Sequence, residues 1–224
     1  VPPLWGWLAK RQITQAQKTI LDRKFNSSIA SKYDLGPDYN LQQHSSWLCD
    51  IALFEQDIEA EICQILQDCC FSKYIEVFDR FGFGLRIKAR LLTRIYPFEA
   101  FLVNGKPLIE HEMKGKRRIK YYCTKNAFKM RLGMGTITEQ SGDMTISKSG
   151  GSSLCRMSFW QYVLTRVETG SLPKSEVAQK LIDYRDLLKN SPGKLKGKHL
   201  QSKLMSKTCN LLYNEFVRKL VNER

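Results

Sequence analysis

Apolar residues recur along most of this chain at helical spacing. After Leu4-Trp5-Gly6-Trp7-Leu8, the positions Ile13, Ala16, Ile20 and Leu21 continue a polar-apolar pattern that predicts helix to about Ser31. Asp34-Leu35-Gly36-Pro37-Asp38 is a breaker cluster. Trp47, Ile51, Phe54, Ile58, Ile62 and Ile65 then step by 4, 3, 4, 4 and 3. That narrow stripe is close to a coiled-coil seam. It predicts a helical hairpin with the first helix, a contact with a second copy, or a mixture of the two. Asp50, Glu55, Asp57, Glu59 and Glu61 occupy the other faces, and read as solvated surface rather than as a catalytic carboxylate cluster.

Further along, a short apolar-aromatic helix is predicted over 73–79. Phe81-Gly82-Phe83-Gly84 follows and leads into a helix over 85–95 that Pro97 ends. Residues 103–126 form a polar, basic insertion, read as a loop or a β-hairpin with 119–123 as a strand. A helix is predicted over 125–132. Residues 133–151, rich in Gly, Ser and Thr, read as a loop. Helices follow over 154–169, 175–189 and 200–221, with breaks at Pro173 and Ser191-Pro192-Gly193. The expected fold is mainly α, with no internal repeat. Residues 1–72 form a helical hairpin or coiled-coil connector, and residues 73–224 a compact helical domain with a helix-hairpin-helix and a small β-hairpin.

Charge changes this picture from a plain helical protein to one that meets a polyanion. The net charge of the 224 residues is +14. Residues 1–80 carry 8 Lys/Arg against 11 Asp/Glu, or −3, whereas residues 81–224 carry 28 against 11, or +17. A strongly basic half points to nucleic acid, because each neutralised phosphate releases counterions. The seven cysteines form no CxxC pair, and the three histidines are far apart in sequence, which argues against a zinc site and a disulfide framework. No apolar run is long enough to span a membrane, so no membrane partner is expected. The chain begins at Val1 without an initiator methionine and is read as a fragment.

Two elements carry candidate chemistry. The first is Phe81-Gly82-Phe83-Gly84, followed by Arg86, Lys88 and Arg90. A hydrophobic-Gly-hydrophobic-Gly turn between helices is the hairpin of a helix-hairpin-helix, whose glycines let the backbone approach a phosphate. The second helix then offers its N-terminal N–H groups, and the basic side chains add sequence-independent affinity. The second element runs through Gly133-Met134-Gly135, Gln140-Ser141-Gly142-Asp143 and Ser147-Lys148-Ser149-Gly150 to Leu154-Cys155-Arg156. A serine beside glycine in a basic loop exposes a hydroxyl to a phosphodiester, and Lys148 and Arg156 are candidates to balance the charge at phosphorus. Ser149, Ser152 and Ser153 are rival nucleophiles. Lys116, Arg117 and Arg118 add a basic cluster for DNA or RNA within the insertion.

In this order the two elements resemble the C-terminal domain of the DEDD transposases, the Piv-like invertases and bridge-RNA-guided insertion-sequence recombinases. The family pattern is Pro-Gly-Ile-Gly, Gly-Leu-x-Pro, Ser-Gly, Ile-Ser-Lys-x-Gly and Leu-Arg, with a Lys-rich closing helix. Here it falls on Phe81–Gly84, Leu132-Gly133-Met134, Ser141-Gly142, Ile146-Ser147-Lys148-Ser149-Gly150 and Leu154-Cys155-Arg156, with 203–220 as the closing helix. The resemblance implies a DNA transposase or recombinase in which Ser141 attacks the DNA backbone to form a phosphoserine link. Gly142, Lys148, Gly150 and Arg156 are its motif neighbours. It further implies magnesium in a composite site completed by an acidic RuvC-like domain, with no cofactor or metal held within this chain. The implied partners are DNA, a guide RNA in one branch, and further copies in a dimer or tetramer. The implied setting is the prokaryotic cytoplasm, at the nucleoid.

The chain departs from the pattern. Phe81 stands in place of proline, Gly135 replaces the proline after Gly-Leu, Cys155-Arg156 is shifted by one place, and 103–126 is inserted. The four acidic ligands would lie before Val1. The alternatives are therefore a non-catalytic nucleic-acid-binding module and an inactive truncated copy.

Overall fold

The computed structural model describes residues 2–114, 117–141, 144–190 and 197–222, without side chains at 114, 117, 139–141 and 144–146. Over these residues the protein is mainly helical, with two separate antiparallel hairpins. It divides into two units, Val1–Gln64 and Ile65–Arg224.

In the first unit the pattern expected as helix to about Ser31 is split into α1 (Pro3–Leu8), α2 (Gln15–Asn26) and α3 (Ile29–Lys32). Local capping explains the breaks. The Thr14 hydroxyl accepts from Gln17 N while the Gln17 side chain accepts from Thr14 N, a reciprocal pair that starts a helix. Ser28 in turn caps α3 by accepting from Ser31 N. The breaker cluster stands between α3 and α4 (Tyr39–Leu66), and the Asp38 carboxylate accepts from Leu41 N at 2.7 Å. The inner side of α4 is Ser45 and Cys49, both buried, beside which Arg11 reaches Ser46 and Asp50, each at 2.7 Å. The apolar stripe faces outward: Trp47 is 58%, Ile51 57% and Phe54 66% exposed.

The second unit is organised by aromatic packing. Its helices are α5 (Ser72–Phe81), α6 (Leu85–Ile95), α7 (Cys123–Arg131), α8 (Ser153–Tyr162), α9 (Glu176–Asn190) and α10 (Gly197–Val217). Phe216 of α10 is fully buried, with its ring 5.6 Å from Phe78 of α5 and 5.4 Å from Phe98. Phe98 continues the cluster to Phe128 of α7 at 6.0 Å. Such tilted pairs at 4.5–7 Å add to plain area burial. Two buried polar contacts tie the core: Tyr74 Oη accepts from Phe98 N at 2.8 Å, and the Thr124 and Tyr213 hydroxyls meet at 2.7 Å. The helix expected over 154–169 keeps α geometry only to Tyr162. A single wider π turn, Val163–Val167, follows.

The insertion forms β1 (Glu110–Lys114) paired with β2 (Arg117–Tyr121). The segment expected as loop over 133–151 is instead a regular hairpin, β3 (Gly135–Ser141) with β4 (Met144–Gly150), in register from Gly135 opposite Gly150 to Ser141 opposite Met144. Its glycines lie at the ends of the strands, while the interior alternates β-branched and polar residues such as Thr136, Ile137 and Thr138, which favour a pleated strand.

Candidate nucleic-acid interface

Helices α5 and α6 are joined by the predicted glycine turn, and its two glycines have different tasks. Gly82 sits at φ +71°, closing α5 with its N–H on Asp79 O. A Cβ there would come 2.7 Å from Pro173 Cδ, so glycine serves both the turn and close packing. Gly84 stands at the N-cap of α6 with no atom within 4 Å of a Cβ position, open to an approaching ligand. Phe81 and Phe83 flank the turn from inside the core, their rings stacked at 5.2 Å, and Tyr162 Oη donates to Phe81 O at 2.7 Å. Of the basic residues beyond the turn, Arg86 is exposed. Lys88 Nζ lies 2.5 Å from Asp79 Oδ1 and is only 17% exposed. Arg90 turns inward to Ser158 Oγ at 3.4 Å.

The root of the β3–β4 ribbon crosses the end of α7 at very short range. A Cβ on Gly151 (φ +83°) would lie 1.6 Å from Met130 O, and one on Gly133 (φ +77°) 2.1 Å from Ser152 O. At Gly150 a Cβ would lie 2.5 Å from Met130 Sδ. The motif glycine Gly150 thus permits packing against Met130. Arg156 ties the root together by donating to Gly133 O at 3.1 Å. Ser152 caps α8 by accepting from Cys155 N at 3.3 Å, which gives that rival serine a structural task.

Ser141 ends β3, opposite Met144; its side chain and the whole of Gly142 lie outside the described residues. Ser141 is six residue steps from Gly135, so at about 3.4 Å per step its backbone stands roughly 20 Å along the ribbon from the root that Arg156 braces. Lys148 pairs with Ile137, and the four residue steps from Ile137 to Ser141 place it roughly 14 Å from Ser141. The ribbon therefore does not bring Lys148 or Arg156 to Ser141 within one chain.

Beside the root lies a groove of about 650 Å³. Lys129, Arg156 and Lys198 supply its cations, from α7, α8 and α10. Thr136, Ser149, Ser153, Ser202 and Ser206 supply hydroxyls. Trp160 offers an indole that is 44% exposed, its Nε1 fixed on Gln201 Oε1 at 3.0 Å. Among the described residues no carboxylate lines the groove. Lys125, one helical turn before Lys129, has its pKa held below the ordinary lysine value, first by burial and then by repulsion from Lys129 and Lys207. Cations crowded without an acid, beside hydroxyls, suit the oxygens of a phosphodiester. Sequence reasoning missed Lys125, Lys129, Lys198 and Trp160. The available signal was that α7 spans Cys123–Arg131 without one acidic residue.

Lys116 lies outside the described residues, and of Arg117 only the backbone in β2 is described. Arg118 is exposed on β2. A second cleft, of about 520 Å³, belongs to the first unit and is lined by Trp7, Lys10, Arg11 and Lys18. Its Arg11 is already committed to Asp50 and Ser46. Among the described residues no group of three or more His, Cys, Asp or Glu can hold a metal ion, so the implied magnesium finds no fitting donor set here. No helix among them is long and apolar enough to cross a membrane. Compared with known proteins, the chain matches no family model, no curated protein and no solved structure.

Proposed function

We propose that this chain is the DNA-handling region of a serine transposase or recombinase that resembles the DEDD family, holding nucleic acid at the groove and presenting Ser141 from the ribbon. The observation that carries this reading is the placement of a cation- and hydroxyl-lined groove at the root of the ribbon whose outer end bears Ser141. The phosphate-binding surface and the candidate nucleophile then share one element. In the proposed step, the Ser141 hydroxyl gives up its proton and its Oγ forms a bond to phosphorus as the bond to the leaving deoxyribose oxygen breaks, and that oxygen takes up a proton in turn. Attack by a deoxyribose hydroxyl of another strand reverses the link and joins the new ends.

The outward stripe of α4 supports pairing with further copies. Trp47, Ile51, Phe54 and Ile58 are exposed at coiled-coil spacing, and covering their remaining apolar area would favour association. A guide RNA remains a proposed partner, since phosphate-directed contacts carry no sequence information of their own.

The distance of Ser141 from Lys148 and Arg156 favours a second reading, a nucleic-acid-binding module without chemistry. One experiment separates the two. The full-length product of the gene encoding this chain is incubated with magnesium, duplexes carrying the element ends and any flanking RNA, then denatured and examined for a protein-DNA adduct. An adduct lost in Ser141→Ala supports serine chemistry. Salt-sensitive binding with no adduct overturns it in favour of the binding module. Binding indifferent to salt overturns both.

A further inference from the structure

The insertion that interrupts the family pattern has a built architecture of its own. In β1 and β2 the register places His111 opposite Lys120 and Met113 opposite Arg118. Successive strand residues point to opposite faces, so these four share one face of the ribbon. Glu110 opposite Tyr121 and Glu112 opposite Ile119 share the other. The first face carries two cations and no acid, whereas the register positions of the second include Lys114 opposite Arg117 as well as the two glutamates. Both described acids lie on the second, where Glu112 raises the pKa of the Tyr121 hydroxyl above its ordinary value. On the first face His111, Arg118 and Lys120 are exposed and Met113 is 65% exposed. Among the described residues Arg118 and Lys120 have no ion-pair partner. On the first face Arg118 and Lys120 are like charges with no acid between them, which repel. The arrangement is stabilising once an anion covers that face.

We propose that the β1–β2 ribbon lies in the major groove of B-form DNA, with the face formed by His111, Met113, Arg118 and Lys120 turned to the duplex; this rests on the DNA-binding reading above. The dimensions suit that groove. Strands about 4.8 Å apart, with side chains, fit a groove about 12 Å wide and 8.5 Å deep, whereas the minor groove is about 6 Å wide. Five residues at about 3.4 Å span roughly five base-pair steps. Arg118 and Lys120 reach phosphates or guanine edges, and Met113 offers an apolar tip to a thymine methyl. The major groove of A-form RNA is too deep and narrow for side chains to enter, so the ribbon distinguishes a DNA duplex from an RNA duplex.

The test compares the whole chain with Arg118→Gln/Lys120→Gln and with the opposite-face control Glu110→Gln/Glu112→Gln. The probes are a DNA duplex and an RNA duplex of one sequence, titrated over a range of salt. Both variants lie on an exposed arm, and an unchanged Tm confirms folding; Lys120→Gln alone repeats the test should the double variant unfold. The first variant is expected to weaken DNA-duplex binding at least about fivefold and to lower the slope of log K against log salt by roughly 2. Methylation protection of guanine N7 in the DNA duplex should disappear with it, while RNA-duplex affinity stays unchanged. The control should keep N7 protection. An unchanged DNA affinity and slope, an equal loss on RNA, or N7 left unprotected by the unaltered chain overturns the ribbon proposal. Failure of the unaltered chain to bind any duplex overturns the DNA-binding reading itself.

Discussion

The carbonyl oxygen of Met130 stands 1.6 Å from the point where Gly151 would carry a Cβ, so the root of the β3–β4 ribbon and the last turn of α7 meet where only glycine fits. Gly151→Ala must shift one of two backbones and also place alanine at φ +83°, which alone costs about 1–2 kcal/mol. The expected outcome is a fall in Tm of several degrees. Gly84→Ala, where a Cβ meets nothing, should leave Tm nearly unchanged. Thermal unfolding of the two variants side by side checks this.

Crowding of Lys125, Lys129 and Lys207 predicts a trade between stability and binding. Lys129→Gln removes one like-charge neighbour at helical spacing, worth about 0.2–0.5 kcal/mol. The variant should therefore be slightly more stable than the natural chain in low salt. It should also bind nucleic acid more weakly, with a salt slope smaller by about 1. Equal affinity and slope would remove Lys129 from the interface.

The buried thiol of Cys209 predicts an alkaline loss of stability. Desolvation pushes its pKa from 9.0 up to about 12, and burial likewise raises that of Tyr162. An acid whose folded pKa is raised stays protonated in the folded protein after the unfolded chain has ionised. Its contribution is complete below about pH 9 and is lost as pH rises from there towards 12. Tm measured between pH 8 and 11 should fall steadily, and Cys209→Ala should flatten part of that slope. In the folded protein the exposed Cys63, Cys69 and Cys70 should react with a thiol reagent long before the buried Cys49, Cys155 and Cys209.

An exposed stripe on α4 predicts association that depends on it. Phe54 is 66% and Ile51 57% exposed, so neither side chain supports the interior of its own unit. Ile51→Glu/Phe54→Glu should reduce the mass seen by sedimentation and leave Tm within about 1 °C, because exposed substitutions change stability little. A loss of fold would instead place the stripe inside the monomer.

Much of the helical frame was legible in the sequence. The helix over 85–95 and its stop at Pro97 follow from apolar spacing and a residue that cannot continue a helix. The turn at Gly82 follows equally from a residue at ease at positive φ. These signals are local, and each reports on a few neighbouring positions. The segment over 133–151 misled for the same reason. Its Gly, Ser and Thr content resembles a loop, and only pairing across the two strands makes it a ribbon.

Contacts between distant segments lay beyond that reach. Tertiary packing decided that Lys129, Arg156 and Lys198 converge on one groove although up to 69 residues separate them. It decided that Lys88 pairs with Asp79 while Arg90 turns to Ser158, and that Gly151 and Gly133 pass within reach of backbone oxygens. The sequence by itself determined that the fold is mainly helical, where Pro97 and Gly82 end helices, and that the second half is strongly basic. The tertiary structure alone decided which faces meet. Periodicity names the apolar side of an element, but its partner is chosen by the shapes and charges of residues far away in the chain.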